Sequence, residues 1–157
     1  MRRVPKSALL IGSLGPVPFF LCTSLIFRQS YNPNSPIILA DSIEIKNVLV
    51  VYGVVILSFM SGTLWGFAAN NTSYIFNKIY ALSVIPALIS IPIIPGHFFS
   101  LGCYPKLSLI YLLICFITTL LLDSYFFLKT LAPRWWMKLR IPLTLLVSGS
   151  LLIGIIM

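Results

Sequence analysis

The sequence predicts an all-α membrane protein: five transmembrane helices in one bundle, with the N-terminus inside and the C-terminus outside. Three observations carry that prediction. Only 9% of the 157 residues are charged and 59% are hydrophobic, whereas a soluble chain carries about 25% charged residues. With a mean hydropathy of +1.01, there is too little polar material to clothe a globule in water, and lipid is the simplest solvent for such a surface. Finally, five apolar runs reach or approach the roughly 20 residues a helix needs to cross about 30 Å of hydrocarbon.

The first run is 7–27, the second 48–69, the third 76–95, the fourth 107–128 and the fifth 139–157. None shows the period-2 alternation of a barrel strand. In lipid the backbone must satisfy its own hydrogen bonds, so helix is the remaining choice. The first run follows Met1-Arg2-Arg3-Val4-Pro5-Lys6 and resembles a signal peptide at its start. It is longer than the 7–15 residues of a signal h-region and no A-x-A-like site follows, so it is expected to be a retained span. Pro86, Pro92 and Pro95 interrupt the third run and make it the weakest. The Asn32-Pro33-Asn34-Ser35-Pro36 stretch reads as a turn. After it, Ile37–Lys46 is expected to form a short interfacial helix with Asp41 near its start.

Orientation follows from cations. Eight of the eleven Lys and Arg fall on one side: Arg2, Arg3, Lys6, Lys78, Lys129, Arg134, Lys138 and Arg140. Arg28, Lys46 and Lys106 fall on the other, which places the first side in the cytoplasm. Trp65, Trp135 and Trp136 near inner ends, and Tyr31, Tyr52 and Tyr104 near outer ends, agree with interfacial belts. The net charge of +8 is spread between apolar runs rather than gathered on a face, so no nucleic-acid partner is expected. The lipid bilayer is the expected partner.

Two constellations stand out. Ser58, Gly62 and Gly66 recur at i+4 and so share one face of the second span. Such a seam lets another helix approach closely. It serves packing within the bundle, the preferred reading, or a homodimer. Ala8 with Gly12, and Ser150 with Gly154, are similar small pairs. Asp123 is the only acidic residue inside a span, about 8 Å from the midplane on the cytoplasmic half. A carboxylate there needs a partner. Arg140 is the natural one, and Asn70 lies on the same side. The three form either a polar pocket or step in an ion path, or a structural Asp–Arg pair docking spans four and five; the structural reading is preferred.

His97 is the single histidine and Cys22, Cys103 and Cys115 are irregularly spaced, so no metal is expected. No GxSxG, HExxH, Walker A or GxGxxG pattern occurs, so neither an enzyme nor a cofactor is expected.

The stretch Tyr52-Gly53-Val54-Val55-Ile56-Leu57-Ser58-Phe59-Met60-Ser61-Gly62-Thr63-Leu64-Trp65-Gly66 resembles the YGxxILSFxxGxxWG signature of a membrane family labelled as a domain of unknown function, which includes eukaryotic transmembrane protein 69. Pro133-Arg134-Trp135-Trp136-Met137-Lys138-Leu139-Arg140-Ile141-Pro142-Leu143-Thr144 is similar to its PxWYxxLRxPLT, and Gly15-Pro16-Val17-Pro18-Phe19 to its first span. Ser61 departs from an expected Gly. The resemblance implies a multi-span protein with no assigned reaction. Without a long transit peptide, a bacterial inner membrane is expected rather than a mitochondrial one. The expected role is an accessory or assembly protein acting by helix packing, within a larger membrane complex or as a homodimer. The alternative is a transporter or channel subunit built around Asp123.

Overall fold

The computed structural model describes residues 4–31, 41–70, 77–95 and 104–157. Among these every regular element is helical. They are α1 (Lys6–Leu14), α2 (Val17–Tyr31), α3 (Ser42–Ala69), α4 (Asn77–Ser90) with a 3₁₀ turn (Ile91–Ile93), α5 (Pro105–Leu128) and α6 (Trp136–Ile156). Four helical stretches are long and apolar enough to cross a membrane: Lys6–Tyr31, Ser42–Ala69, Pro105–Leu128 and Trp136–Ile156. The fifth expected span is a shorter apolar helix, Lys78–Ile93. The Asn32–Pro36 turn, His97, Cys103, Arg2 and Arg3 lie outside the described residues.

Each boundary departure has a local cause. The first run is broken at Gly15-Pro16, because Pro16 and Pro18 bring no N–H to the ladder. Gly15 donates to the Gly12 carbonyl instead (3.2 Å), and α2 restarts as Phe20 donates to the Pro16 carbonyl (3.2 Å). Tyr52 of α3 donates its hydroxyl to the Gly15 carbonyl at 2.9 Å, holding the break against the bundle. Tyr52→Phe should therefore cost about 1 kcal/mol, read as a lowered melting temperature in detergent; an unchanged melt would mean that water replaces the hydroxyl.

The second run begins earlier than expected. Residues 42–47 are the first turns of α3 rather than part of a separate helix. Asp41 stands at the N-cap, and its N–H donates to Glu44 Oε2 at 3.3 Å, a capping pair that starts the helix ahead of the apolar run. In the third run Pro86 sits inside α4, and the chain tightens to 3₁₀ geometry at Pro92. That is the usual outcome where a proline removes a ladder bond near a helix end.

The helices alternate in direction. At one end Gly154 of α6 meets Leu109 of α5, Leu49 of α3 and Ile26 of α2. At the other, Asp123 of α5 meets Arg140 of α6, and Gly12 of α1 lies against Leu139 and Leu143. α4 starts beside the end of α3, where the Tyr80 and Trp65 rings lie 4.9 Å apart. It runs along α3 until Ile93 joins the core around Phe19, Leu49, Leu109 and Phe116. A second core of Leu64, Ala68, Phe126 and Trp136 fills the other end.

Small residues set the closest approaches, though not all at the expected positions. A Cβ on Gly53 would lie 2.5 Å from Leu112 Cδ2, so α3 and α5 meet there only because the side chain is a hydrogen. Ser61 is buried and donates its hydroxyl to the Ser83 carbonyl of α4, adding an interhelical hydrogen bond where a glycine was expected. Thr23 and Ser150 join hydroxyls between α2 and α6, and Ser150 also donates to the Phe19 carbonyl at 3.0 Å. The Ser58, Gly62 and Gly66 seam does not pack against the other described residues. All three are exposed, and no described atom lies within 4 Å of a Cβ built on either glycine. The i+4 spacing puts the three residues on one face, and α3 turns Gly53, Leu57, Ser61 and Leu64 to the interior instead.

Candidate functional site

The turn between α5 and α6 builds the polar cluster. α5 ends in a Schellman motif: Leu131 donates to the Phe126 carbonyl and Thr130 to that of Phe127, both at 3.0 Å. The left-handed position belongs to Thr130, at φ 59°. Glycine adopts that conformation freely, whereas a β-branched residue is strained in it. Thr130→Gly should therefore stabilise the fold by about 1 kcal/mol; a lowered melting temperature would show that the Thr130 side chain contributes more than its strain costs. The chain then passes Pro133, whose carbonyl accepts from the Trp136 N–H at 2.9 Å, and α6 begins.

Trp136, Arg140 and Thr144 follow at i+4 steps and share one face of α6. That face meets Asp123, which is fully buried one turn before the end of α5. Both carboxylate oxygens are engaged. Oδ2 accepts from Arg140 Nε at 2.7 Å, and Oδ1 from Trp136 Nε1 at 2.8 Å. Arg140 is only 5% exposed, so the pair is shielded on both sides. Phe67 of α3 stands edge-on to the Trp136 ring at 5.0 Å and fixes the indole.

Of the sequence-predicted cluster, the structure brings Asp123 and Arg140 together and leaves Asn70 out. Asn70 caps the C-terminus of α3, is exposed, and donates its backbone N–H to the Gly66 carbonyl at 3.1 Å. Trp136 is the partner that sequence reasoning missed. Its signal was the four-residue step to Arg140, hidden because a tryptophan at a span end also reads as an interfacial anchor.

Chemically the cluster is a lock. Each carboxylate oxygen is held by a donor of α6 and the side chain has no exposed surface, so the cluster fastens α5 to α6. Two atoms beside it are less well served: Arg140 Nη2 and Thr144 Oγ1 are buried without a hydrogen-bond partner among the described residues. Among the described residues no three His, Cys, Asp or Glu side chains gather to hold a metal. Cys22 and Cys115 are unpaired thiols, and Cys115 packs within the core.

Residues 4–156 match the model of a family described as protein of unknown function (DUF3429). No curated protein and no solved structure matches the chain.

Proposed function

The chain belongs to the DUF3429 family, and from that premise we propose that it is an accessory or assembly protein of a bacterial inner membrane, acting by helix packing inside a larger membrane complex. The observation that carries this reading is the Ser58–Gly62–Gly66 stripe. A small-residue face on an apolar helix invites close helix contact, yet among the described residues no side chain covers it. The reading also takes in a kinship with eukaryotic transmembrane protein 69, for which the support is the resemblance of the Tyr52–Gly66 and Pro133–Thr144 motifs.

The reading includes five crossings, the N-terminus inside and the C-terminus outside. α3 ends at one end of the bundle and α5 starts at the other, so the chain between them has to traverse it. The 14 residues of α4 and three of the 3₁₀ turn supply about 27 Å. That is within a few ångströms of the hydrocarbon thickness, a mismatch that local thinning absorbs. Lys6, Lys78, Lys129, Arg134 and Lys138 stand toward the end taken as cytoplasmic. The transporter alternative draws no support from the cluster, because Asp123 is sealed and Asn70 lies apart.

The test is oligomeric state in mild detergent. The native protein is expected in a complex heavier than its own 17.5 kDa, and Gly62→Leu or Gly66→Leu should release the chain from it. Because nothing lies near either Cβ, neither change should move the chain's own melting temperature by more than that of an ordinary surface substitution, about 0.5 kcal/mol. A clean monomer from the unaltered protein, or a complex that survives both substitutions, would remove the basis for this role.

A further inference from the structure

A cleft of about 520 Å³ opens between α1, α3 and α6, with Phe19 and Phe116 at its floor. Sites for small molecules span about 300–1,000 Å³. Its rim includes Ile11 and Phe59, 71% and 66% exposed, so the cleft opens sideways on the outer face of the bundle. The walls are apolar apart from a few groups. Thr63 donates its hydroxyl to the Met60 carbonyl, and Trp136 has spent its N–H on Asp123. The half-buried Trp135 indole stands in the wall near the helix start, and Arg140 and Thr144 lie deeper. Arg140 and Thr144 are both at least nine-tenths buried, and Arg140 Nη2 and Thr144 Oγ1 have no partner among the described residues. Both atoms lie beneath the cleft wall; a buried donor left without an acceptor is costly, and a ligand acceptor that presses between the wall side chains removes that cost.

We propose that this cleft holds one glycerophospholipid, with an acyl chain laid along Ile56, Leu143 and Val147 and an ester carbonyl accepting from Arg140 and Thr144. The inference rests on the chain being embedded in a membrane. It does not require the packing partner argued above.

Three features select this ligand. Asp123 already balances the Arg140 charge at 2.7 Å, so the remaining donor suits a neutral carbonyl. A free carboxylate would add an uncompensated buried charge. Arg140 and Thr144 lie four and eight residues into α6 from Trp136, about 6 and 12 Å below the helix start. With Trp135 and Trp136 at headgroup depth, that is the level of the ester groups and upper chains, beneath the phosphates. Lys6 and Arg134 are exposed at the same end, where a lipid phosphate would meet cations. A phosphate-free isoprenoid would leave those cations unused.

The experiment is native mass spectrometry of the full chain, purified from membranes in a maltoside detergent. One phospholipid mass should remain on each chain. After delipidation, titration with mixed micelles of palmitoyl-oleoyl phosphatidylglycerol should restore it. Thr144→Val should weaken that binding about fivefold by removing a hydroxyl. Ala8→Phe, which fills the cleft from α1, should weaken it about tenfold or more, while the melting temperature of each delipidated variant stays with that of the parent. Gly62→Leu should leave lipid retention unchanged, which separates this inference from the packing role. Absence of a retained amphiphile overturns the proposal. Recovery of a free fatty acid or an isoprenoid in place of a phospholipid overturns the ligand assignment, and binding unmoved by both variants overturns the site.

Discussion

Asp123→Asn should destabilise the protein by about 3–5 kcal/mol, the largest effect expected of any conservative substitution in the chain. The mutation keeps the shape of the side chain and removes its charge. Arg140, 5% exposed, is then left as a buried cation beside a neutral amide, and the bonds at 2.7 and 2.8 Å to Arg140 and Trp136 lose their ionic character. Desolvation was offset only by that pairing, so breaking it from one side is far more costly than removing both partners. The paired change Asp123→Leu with Arg140→Met should recover most of the loss, because apolar side chains of similar volume can replace a buried ion pair nearly neutrally. Thermal unfolding of the single and double variants in one detergent gives the cycle. If Asp123→Asn leaves the melting temperature in place and abolishes only an activity, the carboxylate is a working group and not a lock.

Gly53→Leu should cost about 3 kcal/mol or prevent assembly of the bundle. Even a Cβ would lie 2.5 Å from Leu112 Cδ2 and 3.2 Å from its Cγ, and Leu112 is fully buried, so its side chain has to shift within a packed core. Gly53→Ala should show about 1–3 kcal/mol of the same overpacking. Leu112→Ala in the Gly53→Ala background should relieve part of it, whereas Gly62→Ala, with nothing within 4 Å, should be silent. Equal effects at Gly53 and Gly62 would mean that glycine acts through helix propensity and not through the approach of α5.

These two positions also show what the sequence could convey. Four long spans were legible because about 20 apolar residues without charge leave a helix in lipid as the only way to satisfy the backbone. The Asp123–Arg140 pair was legible because a lone carboxylate at that depth demands a cation, and Arg140 was the nearest one at the start of the next helix. Asn70 was grouped with them on depth alone, which says nothing of azimuth around α3. The same blindness explains the glycines. Spacing by four identifies a face, but which face turns inward is decided by the whole helix, and on α3 Gly53, Leu57, Ser61 and Leu64 outweigh Ser58, Gly62 and Gly66. The third span differed because its prolines shorten the regular helix, and the cleft beside Arg140 was invisible because it depends on α1, α3 and α6 failing to fill one space.

We propose above that this chain crosses the bilayer an odd number of times, with its cation-rich end inside. Reporter fusion tests it most directly. Alkaline phosphatase joined after Met157 should be active in intact bacterial cells, and green fluorescent protein at the same position should be dark. A fluorescent, phosphatase-inactive C-terminus would put that end in the cytoplasm and contradict an odd number of crossings that starts from a cytoplasmic N-terminus.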